Sequence, residues 1–302
     1  MHLFGTSLNV TAHPALVTPT LRPHYLGGAA SYSRDRRELQ LVIRDPDSKE
    51  VKTLYPTGDV LQGHLNYIFV FSDRKGNFYT WRIQKEHPEI LPKIHQDLIG
   101  TGFLTNGGSY KYRRIEEQVN FMKKACQLNL RVIPVIYTDN FGILSPFIQG
   151  ITYHKYLLLG GITATKNVLD NIRVSHKHNI VYGDRWAKNT IVQQDESIIE
   201  IDFDIELRGE IAKEFEMAQL LYHILLFSSR RREMLKFLDN YLRDNQLDLA
   251  QYDIFVVKKI LSNYANYFAD QPSEGMSGGI RQEIAELIKM LSFYSRQEIV
   301  AQ

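Results

Sequence analysis

The chain has 302 residues, 36 Lys and Arg against 34 Asp and Glu, a formal net charge of +2, and one cysteine, Cys126. So even a balance argues against a dedicated nucleic-acid binder, and a single cysteine excludes an internal disulfide, which makes a reducing cytoplasmic setting the expected one. At 44% hydrophobic and 23% charged, the chain is long enough for two lobes with separate cores. Its longest apolar stretch, 218–227, contains Gln219 and His223 and falls far short of the roughly 20 residues of a membrane span. No basic segment followed by an apolar core opens the chain, so export by a signal peptide is not expected.

Residues 1–33 are rich in Pro, Thr, Gly and Ser and predict an irregular arm. Residues 38–44 and 51–55 flank a charged turn and predict a hairpin. Gly63 and Asn66 then introduce an apolar run at 67–71, a charged turn with Gly76 follows, and 78–83 alternates as a second strand. Over 112–126, Ile115, Val119, Met122 and Cys126 recur at helical spacing with Arg and Lys on the other face. Residues 130–136 and 143–150 predict two more strands and a connector ending in Gly150. In the last third, helices are expected at about 209–227, 230–243, 247–268 and 279–299, with Gly278 and Gly279 marking the final junction.

The richest segment lies between these halves. It runs Tyr182-Gly183-Asp184-Arg185-Trp186-Ala187-Lys188-Asn189, then a short strand at 190–192, a polar turn at 193–197, a returning strand at 198–201, and Asp202-Phe203-Asp204. A hairpin of that length brings Asp202 back beside Asn189. Phosphoryl transfer needs a carboxylate to accept the proton of an attacking hydroxyl, and an amide oxygen plus a second carboxylate to hold magnesium on the phosphates. Asp184 fits the first role, Asn189 and Asp202 the other two. No Walker-type phosphate loop and no dinucleotide-binding glycine fingerprint occurs, so other nucleotide-binding folds find no support.

This pattern resembles the catalytic and metal loops of the protein-kinase-like superfamily, most of all its aminoglycoside phosphotransferase and choline kinase branch, where His-Gly-Asp-x-x-x-x-Asn precedes a strand and Ile-Asp-Phe or Ile-Asp-Trp. Tyr182 stands where that family usually has His. The likeness covers about residues 55–227. It implies an α+β bilobal fold: a small antiparallel-sheet lobe with one helix at 34–148, and a larger, mainly helical lobe at 149–302. It implies ATP clamped between lobes and Mg²⁺ held by Asn189 and Asp202. Gly63 and Asn66 would form the phosphate-covering turn. Arg82, where many members have Lys, would contact the α and β phosphates and be held by Glu117, with Glu116 as the adjacent alternative. Backbone groups from Ser145 to Ile148 would meet the adenine edge, with Phe147 or Ile148 against its face.

The acceptor is expected to be a small molecule, because few residues separate Asp202 from the next helix and no Ala-Pro-Glu follows, so a peptide platform is missing. Asp204, Glu206, Glu214 and Glu216 could give the acceptor pocket a negative rim, and Tyr222, Tyr264 and Tyr267 could wall it for a cation. The commoner alternatives are surface and core positions, and for Glu216 a cap on the catalytic loop. Two further readings stand beside the main one. The first is a kinase-like protein that modifies another protein. The second is a pseudokinase that binds nucleotide without turnover.

Overall fold

The computed structural model describes residues 41–44, 51–63, 65–86, 88–269 and 280–300. The expected arm at 1–33 and the turn of the first hairpin lie outside them. The architecture is α+β, as expected: a small antiparallel sheet with one helix, and a larger, mainly helical part. The chain divides into two compact units, one formed by the residues up to Ile90 with Arg114–Lys123 and Ile133–Phe147, the other by Leu91–Arg113, Lys124–Val132 and the residues from Ile148 onward.

The first unit is built on a six-stranded sheet in the order β1-β2-β3-β4-β7-β6, all pairs antiparallel. Its strands are β1 (Leu41–Arg44), β2 (Val51–Gln62), β3 (Asn66–Ser72), β4 (Phe78–Gln84), β6 (Tyr137–Thr138) and β7 (Gly142–Pro146). Side chains alternate across a strand, so Trp81 and Arg82 face opposite ways. On the Trp81 face Leu41, Ile43, Leu54, Phe71, Tyr79 and Leu144 bury together, and Tyr137 stacks on Trp81 at 6.0 Å. Burying such a side chain stabilises by about 1.5–3 kcal/mol each. On the other face Arg82 lies in register with Ile68 and Ile143 and reaches α2 (Ile115–Gln127).

Two expectations need correction here. The strand foreseen at 130–136 does not form: Pro134 cannot donate to a ladder, Val132 makes only an isolated parallel bridge to Glu200, and pairing resumes at Tyr137. The helix foreseen from 112 begins at Ile115, because Ser109–Tyr112 is taken up as β5.

The second unit is organised around α5 (Ala212–Phe227), which is apolar nearly all round and buried along almost its whole length. A helix of that kind is a core helix. It packs against α8 (Ile254–Tyr267), α6 (Arg231–Asp244), α3 (Tyr153–Leu158) and α4 (Ala164–Lys177), while α9 (Arg281–Val300) covers α6 and α8. The single helix expected at 247–268 is two, α7 (Gln246–Leu249) and α8. Asp253 breaks it by capping α8, its carboxylate accepting the backbone N–H groups of Phe255 and Val256. The unit also holds α1 (Leu91–Gly100) and two small sheets, β8 (Ile151–Thr152) with β9 (Thr190–Val192) and β10 (Ile198–Glu200), and β5 with β11 (Ile205–Arg208). Among the described residues no helix is long and apolar enough to cross a membrane.

Candidate active site

The expected hairpin forms, with Ile198 opposite Val192 and Glu200 opposite Thr190. It brings the three polar residues of the loops together. Asn189 donates its amide N–H to the Asp184 carbonyl at 2.9 Å, and the Asn189 carbonyl accepts the Ile201 N–H at 2.8 Å, which sets Asp202 beside it. Asp202 has φ +66°, in the left-handed region. Such a residue carries about 1–3 kcal/mol of strain and persists only where its surroundings hold it. They do so here: the Arg185 guanidinium donates to the Asp202 carbonyl at 2.8 Å.

Arg185 is the hub of the loops. It is buried, donates to Glu200 Oε2 at 2.7 Å, and lies over the rings of Tyr182 and Phe203 at 5.3 and 5.4 Å. Thr190 Oγ1 donates to the same Glu200 oxygen. Tyr182, where the resembling family has His, is fully buried with its ring 5.8 Å from Phe203, so an aromatic contact ties the loop of Asp184 to the segment of Asp202. Arg113, at the end of β5, ties them again: Nη1 donates to the carbonyls of Tyr182, Phe203 and Ile205 at 3.0 to 3.1 Å. Burial lowers the Arg113 pKa to about 10, against the pull of Glu206 and Glu216. Gly183 is required by geometry, since at φ +114° a Cβ would stand 1.8 Å from the Ile205 carbonyl oxygen.

Three polar residues of α5 grip the loop that carries Asp184. Glu216 accepts the N–H groups of Gly183 at 2.8 Å and Tyr182 at 3.2 Å, and bonds His176 Nε2 at 2.6 Å; Tyr252 holds the other nitrogen of that ring. It is the loop cap the sequence suggested. Gln219 accepts the Arg185 N–H and donates to Asp184 Oδ1, at 2.7 and 2.8 Å. His223 Nδ1 meets the Arg185 carbonyl at 3.3 Å, and Trp186 packs on its ring. Burial lowers the His223 pKa to about 4, so it is neutral at pH 7. Burial raises Asp184 from 3.8 to about 7; Gln219 and Arg185 pull it down, and the charges of Asp202 and Asp97 push it up.

Arg113, Arg185, Gln219 and His223 were not foreseen in these roles. One sequence signal was available for the last two: Glu216, Gln219 and His223 form a polar stripe at i, i+3 and i+7 on a helix that is otherwise apolar beyond Lys213 and Glu214 in its first turn. The negative rim is not found. Asp204, Glu214 and Glu216 are buried, Glu214 accepts the Asp253 N–H, and Glu206 pairs with Arg208. Tyr222 and Tyr264 are core residues of one aromatic cluster with Phe268, and Tyr267 bonds Asp97 of α1 through its hydroxyl.

In the first unit, Arg82 donates to Gln118 Oε1 at 2.6 Å, while Glu117 accepts the Arg114 N–H at 2.9 Å across the first turn of α2 and Glu116 is exposed. Gly63 and Asn66 close the β2–β3 turn, the Gly63 N–H donating to the Asn66 carbonyl at 3.1 Å, and Lys85 holds the Gly63 carbonyl. Ser145 is buried on β7 opposite Thr80. The Phe147 N–H is taken by the Phe78 carbonyl at 2.9 Å, so it is committed to the protein. Ile148, in the second unit, is half-buried.

No family model matches this chain, and no curated protein sequence matches it. A solved structure to which it is similar is that of the amicoumacin kinase hAmiN in complex with AMP-PNP, Ca2+ and Ami, at 12% identity and a TM-score of 0.39, over 79% of this chain and 87% of that one. Residue roles in this chain rest on its own geometry.

Proposed function

We propose that this chain is a phosphotransferase that moves the γ-phosphoryl group of ATP to a hydroxyl of a small molecule. The observation that carries the reading is the convergence of Asp184, Asn189 and Asp202 through bonds that fix each of their backbones, with the Asp184 carboxyl shifted to about 7. The acceptor oxygen attacks the γ phosphorus, the bond from phosphorus to the bridging oxygen breaks, ADP leaves, and Asp184 takes the hydroxyl proton. Gln219 occupies Oδ1, so the proton goes to Oδ2.

The donor set fits magnesium. The Asn189 amide nitrogen is committed to Asp184, which leaves its oxygen to turn to a cation, and Asp202 supplies a carboxylate. Hard oxygen donors in small number suit an ion that keeps waters and phosphate oxygens in its shell. Among the described residues no group of three or more His, Cys, Asp or Glu could hold a metal, which does not favour a zinc-type site. When bound, the ion would neutralise phosphate charge. In the first unit, Arg82, steadied by Gln118 and with Glu117 as the expected ion-pair partner, is proposed for the phosphates, Gly63 and Asn66 for the turn that covers them, and backbone from Ser145 to Ile148 for the base. A small acceptor is favoured because Ile205–Arg208, just after Asp202, is paired as a strand with β5, and no long platform intervenes before α5.

The test is thermal unfolding with ATP or GTP, with and without Mg²⁺, on the parent, Asp202→Ala and Asp184→Ala. A ligand at 100 times its Kd stabilises by about 2.7 kcal/mol. The expected outcome is a metal-dependent shift that Asp202→Ala loses and Asp184→Ala keeps, with turnover lost in Asp184→Ala. A well-folded parent that no Mg-nucleotide shifts would count against the proposal.

A further inference from the structure

We propose that Gln219 is a positioning residue, which orients the Asp184 carboxylate for proton transfer; the inference rests on the reading of Asp184 as the base. Gln219 is 4% exposed, and both ends of its amide are used. Oε1 accepts the Arg185 backbone N–H at 2.7 Å and Nε2 donates to Asp184 Oδ1 at 2.8 Å. This network fixes which end of the amide is oxygen. Turned over, it would set a donor against the Arg185 N–H and an acceptor against a carboxylate, two repulsions in a buried site.

The consequence falls on one torsion. A carboxylate rotates readily about its Cβ–Cγ bond, where the energy wells are broad. The fixed donor on Oδ1 stops that rotation and leaves Oδ2 as the oxygen presented to the acceptor. The backbone is held from the same side chain, because the Arg185 N–H follows Asp184 directly. Gln219 therefore sets the position and the rotation of the base together. None of its bonds involves Asn189 or the Asp202 side chain, so its loss should spare metal and nucleotide binding.

Gln219→Met keeps the length and removes both bonds. Gln219→Glu keeps an acceptor for the Arg185 N–H and replaces the donor with an oxygen that repels Asp184. Each is measured by release of inorganic phosphate from Mg·ATP with water as acceptor, at pH 8, beside the Mg·ATP thermal shift. The expected result for both is a 10- to 100-fold fall in kcat, since a base displaced by about 1 Å costs on the order of 100-fold, with KM for ATP within twofold and the thermal shift retained. A kcat within twofold of the parent in either variant overturns the proposal; activity in Gln219→Glu alone would mean that only the Arg185 contact matters.

Asp184→Asn separates the two ideas. Full turnover in it overturns the assignment of the base and the proposal with it. Turnover lost in Asp184→Asn but kept in Gln219→Met overturns the positioning role alone. If the parent releases no phosphate from ATP, nitrogen-15 NMR of the Gln219 side-chain amide still decides. Slow solvent exchange in the parent that accelerates in Asp184→Ala supports the bond, and fast exchange in the parent refutes it.

Discussion

Glu216→Leu is the sharpest test of how the loop that carries Asp184 is held. The Glu216 side chain is fully buried and accepts from the Gly183 N–H, the Tyr182 N–H and His176 Nε2 at 2.8, 3.2 and 2.6 Å. Leu fills similar space and accepts nothing. Each buried donor left unpaired costs about 1–3 kcal/mol. Against that, removing one buried charge recovers part of its desolvation cost, so a net loss of about 3–5 kcal/mol is expected, the range for breaking a buried charged cluster. One kcal/mol lowers Tm by about 2–4 °C in a domain of 150–250 residues, so Tm should fall by about 6–20 °C. Glu216→Gln keeps one acceptor oxygen and should fall between Leu and the parent. Thermal unfolding followed by near-UV circular dichroism reads the result. A Glu216→Leu protein within about 1 kcal/mol of the parent would refute the view that this carboxylate holds the loop.

Gly183→Ala should prevent the loop from closing, because its Cβ would meet the Ile205 carbonyl oxygen at 1.8 Å at a φ unfavourable to any L-residue; loss of folded yield, or of more than about 3 kcal/mol, is expected in a denaturant titration. Arg185→Met leaves the buried Glu200 charge without its ion pair and should cost about 3–5 kcal/mol, whereas adding Glu200→Leu should cost less than the sum of the singles, as a double-mutant cycle would read. For pH, Asp184 keeps its proton up to about 7 in the folded chain and releases it near 3.8 when unfolded. Between those values the folded state binds the extra proton, so this group makes stability fall as pH rises. Urea midpoints from pH 4.5 to 8 should therefore decline more steeply for the parent than for Asp184→Asn, and identical slopes would refute the shift.

The hairpin between Asn189 and Asp202 was legible because its strands are short apolar runs, its turn is polar, and everything it joins lies within about twenty residues. The terminal helices were legible from their 3.6-residue period. Long-range partners were not: Arg113 lies 69 residues from the Tyr182 carbonyl it holds, and nothing local in Tyr-Arg-Arg says that one guanidinium is buried and the next exposed. Nor were α1, α3 and α4 among the expected elements, although α4 buries an apolar stripe through Val168, Leu169 and Ile172. The strand expected at 130–136 failed for the opposite reason. Its composition is β-rich, but Pro134 breaks the ladder, and the tertiary environment gave Val132 a partner elsewhere.

Glu216, Gln219 and His223 connect sequence, fold and proposed chemistry in one element. A loop has few local contacts to fix it, yet a base must be held closely to be useful. Helix α5 resolves the conflict by being a core helix, locked by apolar packing along nearly its whole length. Its one polar stripe then carries that rigidity outward. Glu216 fixes the backbone before Asp184, Gln219 fixes the backbone after it and one carboxylate oxygen, and His223 fixes the Arg185 carbonyl. Spacings of three and four residues place the three side chains on one line, and the loop is laid along it. Arg113 and Arg185 bind that loop to the segment carrying Asp202. The left-handed conformation at Asp202 is thus held at two successive carbonyls, its own by Arg185 and that of Phe203 by Arg113.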